Sequence, residues 1–486
     1  MKLRSRFVSS LALVALLAGC GGDGGSAVGG GTSGGGSTGG TGSTGGGTTV
    51  STCTLRDRQD WAFAQLKEWY LFPETLPATL SPAPYSTVDA YIDALTANAR
   101  AQGKDRFFTY LTSIKEEDAF YNSGASAGFG VRLSYDTTAR RVFVMEAFEG
   151  TPALAAGIDR GTEILAVGTT SANLQNVSDL MAQGGAQAVV DALGPSTPGT
   201  TRVLRVTDAG GTRTVTVSKT DYSLTPVSSR YGASIIDEGG KRYGYVNLRT
   251  FIDTADPALR SVFANFRSAG VTDIVVDLRY NGGGLISIAE LFGDLLGANR
   301  STSDVFDYVT FRPEKASNNS TRTFQPQPQS VAPTRLAFIG TGGTASASEM
   351  LINGMLPYYR TNEALVGSNT YGKPVGQIAV DRTACDDRFR IIALKVENAS
   401  HQGDYYNGLA SKMDVTCAAG DDLTHPLGDP REASLRQALD FLQGKPCTRI
   451  VAAEGGITAE GVREAPQLLL SPERPNTAQR EVPGLF

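Results

Sequence analysis

Residues 342–377 read G-G-T-A-S-A-S-E-M-L-I-N-G-M-L-P-Y-Y-R-T-N-E-A-L-V-G-S-N-T-Y-G-K-P-V-G-Q. The run just before them, Leu336-Ala337-Phe338-Ile339, has the length and bounding glycine of a buried strand. Small residues follow, then a helical pattern with Met350, Leu351 and Met355 on one side, which Pro357 is expected to end. Strand, tight turn and helix with a serine on the turn is how a fold exposes a hydroxyl nucleophile. The helix start also offers free N–H groups and a positive dipole end, which suit an oxyanion. A single lysine, Lys373, sits in the second glycine turn. The stretch therefore pairs a hydroxyl with an amine.

Working outward, the chain from about Lys241 alternates strands with helices, which predicts an α/β core. Tyr243–Leu248 and Ile274–Leu278 read as strands, Asp256–Ala269 as a helix. Arg279-Tyr280-Asn281-Gly282-Gly283-Gly284 is a turn into a helix through Ile286, Ala289, Leu291 and Leu295. It lacks the Gly-Lys-Ser/Thr ending of a phosphate loop, so an exposed N–H for an oxyanion is the better reading. Both glycine turns follow strand C-termini, where open α/β sheets form their clefts. Ser301–Val331 reads as an excursion beside that cleft, and Ala433–Leu442 as a closing helix.

Upstream, residues 51–123 carry helical periodicity: Trp61, Ala62, Leu66, Trp69 and Tyr70 on one face, Val88, Tyr91, Ile92 and Leu95 on another. Ser86 with Asp89 reads as a capping box for the second helix. A small helical subdomain packed on the core is expected. Residues 124–222 switch to short strands and turns. Residues 21–50 are nearly all Gly, Ser and Thr and cannot form a core. Before them, Lys2, Arg4 and Arg6 precede an apolar run, Leu11–Ala18, too short to span a bilayer and ending Leu-Ala-Gly-Cys20. This resembles a bacterial lipoprotein signal, which implies acylation of Cys20 and an outer-membrane anchor facing the periplasm.

The 486 residues carry a formal charge of −5 and no cluster of Lys or Arg, so nucleic-acid binding is unsupported. Only two histidines occur, His401 and His425, which favours a lysine base over a histidine one. No metal or other cofactor is called for. With Cys20 assigned to lipid, Cys53, Cys385, Cys417 and Cys447 form an even set, which suggests two disulfides in an oxidising compartment. Three pairings are open; Cys385–Cys417 with Cys53–Cys447 is the one expected. Residues 450–486 show little periodicity and read as a plain tail. Its apolar end, Pro483-Gly484-Leu485-Phe486, is the one feature a peptide groove would take, with self-binding the minority expectation.

Three motifs together, T-A-S-A-S-E at 344–349, Y-G-K at 371–373 and D-L-R-x-N-x-G-G at 277–284, make residues 124–445 resemble the carboxyl-terminal processing, or tail-specific, proteases. The resemblance implies a nucleophile at Ser346, a general base at Lys373 and an amine-orienting Gln377. It implies oxyanion donors at Ala347 and Gly283. Pro374 stands where the family usually has glycine. Residues 124–222 likewise resemble a bacterial protease-associated PDZ domain. Gly128-Phe129-Gly130-Val131 would be its carboxylate-binding loop, Thr151–Gly157 its helix and Gly161–Val167 its strand. The implied architecture is α+β/α/β multidomain: helical N-terminal subdomain (51–123), PDZ domain (124–222), α/β protease core (223–449) and tail (450–486). The implied function is serine endopeptidase action on envelope polypeptides with apolar C-terminal tails, with or without an adaptor lipoprotein. A peptide-binding scaffold with an inactive core is the rival; oligomeric state is open.

Overall fold

The computed structural model describes residues 53–451 and 468–486. The lipoprotein-like signal, Cys20 and the Gly/Ser/Thr-rich segment lie outside the described residues.

Six strands form the central sheet: Ala233–Glu238, Lys241–Asn247, Asp273–Asp277, Arg335–Gly340, Glu363–Gly367 and Val415–Ala418, adjacent in that order. The first two make an antiparallel hairpin and the rest run parallel. A sheet that grows in one direction through crossovers of one hand keeps the crossover helices on one face. Accordingly the helices Ala255–Ser268, Ile286–Leu296 and Ala347–Tyr359 share one core with Val276, Phe338 and Leu365. The intervening side chains Val275, Ile339 and Val366 point the other way, where the helix Ala433–Leu442 covers them with Leu435, Leu439 and Leu442. With both faces buried, these strands read as continuous apolar runs, which is why they were legible.

Pro357 does not end its helix; the helix runs to Tyr359. The carbonyl of Asn353, which loses its helical donor at Pro357, accepts instead from Asn398 Nδ2 at 3.1 Å. The turn comes at Arg360, whose φ is +49°.

A second sheet is built on the long strand Asp387–Glu397, which pairs with Val375–Arg382, Val305–Phe311 and Tyr110–Ser113. The excursion after residue 300 thus supplies a strand, and so does the N-terminal region. That region is not helical throughout. Leu66, Tyr91, Ile92 and Leu95 of its helices bury against Phe389, Ile391 and Ile392 of this sheet. Its second helix, Val88–Leu95, is capped by Thr87, whose side chain accepts from the Ala90 N–H at 3.1 Å, rather than by Ser86.

The expected disulfide pairing is overturned. Cys53 bonds Cys385 and Cys417 bonds Cys447. Docking of the first helix on the second sheet brings Cys53 to the turn Thr383–Cys385. The chain leaving the last helix returns beside Val415–Ala418, with Ala418 N–H donating to Thr448 O, which sets Cys447 beside Cys417.

A third sheet has seven strands, six within residues 131–218 and the seventh, Leu468–Leu469, at the edge of Val131–Asp136. Buried ions join it to the core. Arg249 pairs with Glu146 at 2.6 Å and Glu149 at 2.8 Å, and Arg160 with Asp421 at 2.6 Å. Burial pushes the Glu146 carboxyl up, but Arg249 and Arg132 outweigh that and hold it below its ordinary value. The tail is not a free end: Val482, Leu485 and Phe486 are buried.

Candidate active site

Three loops leave the C-terminal ends of neighbouring parallel strands and converge. The first follows Asp277. Arg279, fully buried, holds Asp277 at 3.0 Å and Glu432 at 2.8 Å, and this fixes the turn Tyr280–Gly284 at its root. Asn281 Nδ2 donates to Leu248 O at 2.8 Å, and its Oδ1 accepts from Gly283 N–H at 2.9 Å.

The second loop follows Gly340 and carries Ser346. The backbone there has φ +54° and ψ −117°, a strained setting for a residue with a side chain. It turns the serine out at the start of the helix Ala347–Tyr359. The N–H of Ala347, at the first helical position, has no hydrogen-bond partner among the described residues. Gly283 has φ +120°, and a Cβ on it would lie 2.7 Å from Ser346 Cβ and 3.1 Å from Ala347 N. Only glycine allows that approach.

The third loop follows Gly367 and carries Lys373. Its Nζ donates to Gln377 Oε1 at 3.2 Å and stands 5.1 Å from the centre of the Phe108 ring. Gln377 lies at an irregularity in the strand Val375–Arg382, where a one-residue register shift re-aims the side chain. Its Nε2 donates to Phe108 O. Burial pushes the Lys373 amine below its ordinary value, while Glu481 pulls the other way. Among the described residues no hydrogen bond joins Lys373 Nζ to Ser346 Oγ. The structure thus brings Ser346, Ala347, Gly283, Lys373 and Gln377 to one place. It turns the Gly283 N–H onto Asn281 and leaves the neighbouring Gly282 N–H donating to Glu481 O at 3.0 Å.

Residues 242–401 match the model of peptidase family S41, a span that holds all three loops. Curated relatives are carboxyl-terminal processing peptidases. The chloroplast enzyme of Tetradesmus obliquus is 29% identical over 53% of this chain and 54% of its own length. Carboxyl-terminal-processing peptidase 3 of Arabidopsis thaliana is 25% identical over 82% of this chain and 72% of its own. Residues 242–401 are thus similar to peptidase family S41. Its alignment spans about half the length of the algal relative. A crystal structure assigned to the S41 proteases, from Bacteroides fragilis, superposes with TM-score 0.58 at 21% identity. The match covers 79% of this chain and 97% of that one, a likeness of fold.

Within this fold the sequence reading missed three supports. Glu349, one turn into the serine's helix, accepts from the N–H groups of Gly372 and Lys373, both at 2.7 Å, and of Ser346 at 3.2 Å. Burial pushes its carboxyl up to about 7, against the pull of those N–H groups. Arg106 reaches from the N-terminal layer to Tyr371 O at 2.9 Å and stacks on the Tyr371 ring at 4.2 Å. Asp105 accepts from Phe108 N–H at 2.8 Å and so seats the residue that receives Gln377. The Glu349 signal was present as the E of the T-A-S-A-S-E run. The other two come from a segment whose path only packing defines.

Proposed function

We propose that this protein is a serine endopeptidase working through a Ser346–Lys373 dyad with Gln377. Its substrates would be polypeptides whose C-terminal ends bind residues 124–222 as to a PDZ domain. Attack by Ser346 Oγ on a peptide carbonyl needs a base that is neutral near neutral pH. Burial shifts the Lys373 amine in that direction, and Gln377 accepts from it without adding a charge that would hold its proton. The developing oxyanion would meet the Ala347 N–H and an N–H of the Gly282–Gly283 turn. The free Ala347 N–H at a helix start supports the first. The second requires that turn to release its present acceptors.

The observation that carries the reading is the desolvated lysine, bonded to an uncharged amide, beside a serine strained outward at a helix start. Residues Gly128–Val131 are read as the site for a polypeptide end, supported by the position of Val131–Asp136 at the sheet's edge among residues 131–218 and by the converging N–H groups of Gly130 and Val131. Two disulfides support an oxidising compartment, in keeping with an envelope protein anchored through Cys20. No described helix is long and apolar enough to cross a membrane. The test is hydrolysis of an unstructured, apolar-ended polypeptide by the purified chain beside Ser346→Ala and Lys373→Ala. Both variants are expected to be folded and inactive. Full activity in either removes the dyad, and an inert parent chain returns the function to peptide binding alone.

A further inference from the structure

The groove at Gly128–Val131 is occupied by the chain itself. Phe486 N–H donates to Val131 O at 2.9 Å, and Phe486 O accepts from Gly130 N–H at 2.9 Å and Val131 N–H at 3.1 Å. Leu133 N–H donates to Gly484 O at 2.7 Å, and Leu485 bridges Arg132 in antiparallel register. This is strand addition to a sheet edge, with two N–H groups converging on one oxygen of the last residue. A Cβ at Gly128 would fall 2.6 Å from the Phe486 carbonyl carbon, so glycine there makes room for the end. The Phe486 ring is buried with Phe129, Val131, Val189 and Val190, and Leu485 with Phe120, Phe148 and Leu224.

Upstream, the same segment lies on the glycine turn next to Ser346. Gly282 N–H donates to Glu481 O at 3.0 Å, and a Cβ on Gly282 would meet Arg480 O at 2.5 Å. Gly282 adjoins Gly283, which touches Ser346. Glu481, 6% exposed, accepts from Tyr121 OH at 3.0 Å, and Arg480 donates to Phe107 O at 3.2 Å while stacking on Tyr110 at 3.7 Å. Phe107 and Tyr110 flank in sequence Phe108, whose ring stands beside Lys373. Thr477–Glu481 is a helical turn with Arg480 N–H on Asn476 O and Val482 N–H on Ala478 O. The internal bonds of this turn take the carbonyls of Asn476 and Ala478, while the Glu481 carbonyl lies on the Gly282 N–H, so the segment occupies a donor of the turn beside Ser346.

We propose that Val482–Phe486 is a displaceable resident ligand of the groove. The groove therefore receives polypeptide ends closing on two apolar residues, and Arg480–Glu481 closes the dyad until a rival end takes the groove. This rests on the peptidase reading above. The charge of Glu481 acts in the same sense, since a carboxylate near Lys373 favours the ionised amine, which cannot serve as a base. A tethered ligand works at roughly millimolar effective concentration, so a substrate end at about 10 µM competes about a hundredfold too weakly.

The experiment compares the full chain, a chain ending at Ser471, and the full-length double variant Leu485→Asp/Phe486→Asp. Each is given unstructured polypeptides ending Leu-Phe or Asp-Asp and a fluorescent peptide of residues 477–486, with free carboxylate or amide. Both altered chains are expected to cleave the Leu-Phe polypeptide about 10- to 100-fold faster than the parent. The shortened chain should bind the free-acid peptide at least tenfold more tightly than the parent does, and be inhibited by it. Equal hydrolysis by all three with no peptide binding overturns the proposal and leaves the peptidase standing. Peptide binding without hydrolysis by any chain keeps the groove assignment and removes the peptidase. If neither altered chain folds, the segment is a fixed strand and the proposal fails.

Discussion

Glu349 and Lys373 are joined through the backbone: one carboxylate oxygen, Oε2, accepts the Lys373 N–H at 2.7 Å and the Ser346 N–H at 3.2 Å. One buried side chain thus sets the spacing of the two turns that carry Ser346 and Lys373. Glu349→Ala would leave three N–H groups without their acceptor, at about 1–3 kcal/mol each before relaxation. A fall in kcat of tenfold or more with little change in KM, and a lower Tm, are expected; unchanged kcat in the folded variant counts against this positioning role.

The same residue predicts a stability profile. Its folded pKa of about 7 lies above the ordinary 4.5, so the native state holds the proton longer. Its stabilising contribution is complete below about 4.5 and is lost as pH rises through about 7, by about 3 kcal/mol at 1.36 kcal/mol per unit. Denaturant unfolding of the parent and Glu349→Gln at pH 4.5 and pH 7.5 should show the parent losing ground to the variant by that order. Parallel profiles would refute the shift.

Burial lowers the Lys373 pKa and Glu481 raises it. With the neutral amine as the proposed base, kcat/KM should climb with pH through an inflection below 10.5. Glu481→Gln should move that inflection to lower pH. Lys373→Arg, whose guanidinium stays ionised, should abolish the limb and cost at least about a thousandfold in rate.

Arg279 lies between Asp277 and Glu432, all three buried. Arg279→Met would strand two carboxylates, a loss of about 3–5 kcal/mol. Urea unfolding at pH 7.5 checks this, and activity should fall with it as the turn to Gly283 loosens.

The disulfides differ in what they close. Their sequence separations are 332 and 30 residues. Chain entropy gives the longer loop roughly 6 kcal/mol and the shorter roughly 4 kcal/mol. Cys53→Ser is therefore expected to lower Tm more than Cys447→Ser. A non-reducing peptide map should recover Cys53 with Cys385 and Cys417 with Cys447.

Residues within one stretch determined much of this protein by themselves. Apolar runs marked three of the parallel strands, at 243–248, 274–278 and 336–339, because strands buried on both faces are mostly apolar. The helix Ala433–Leu442 was read to the residue, and Ser346 and Lys373 stood out because a serine before a helix and a lone lysine in a glycine turn are local patterns. Packing decided the rest. Pro357 stays helical because Asn398, 41 positions downstream, satisfies the carbonyl it orphans. Cys53 meets Cys385 because a helix face docks on a sheet whose strands come from three parts of the chain. Phe486 fills the groove for a similar reason: its periodicity is nil, and only the edge of Val131–Asp136 gives its N–H and oxygen somewhere to go. A local pattern records which side a residue buries; which distant residue waits on that side is a property of the assembled fold.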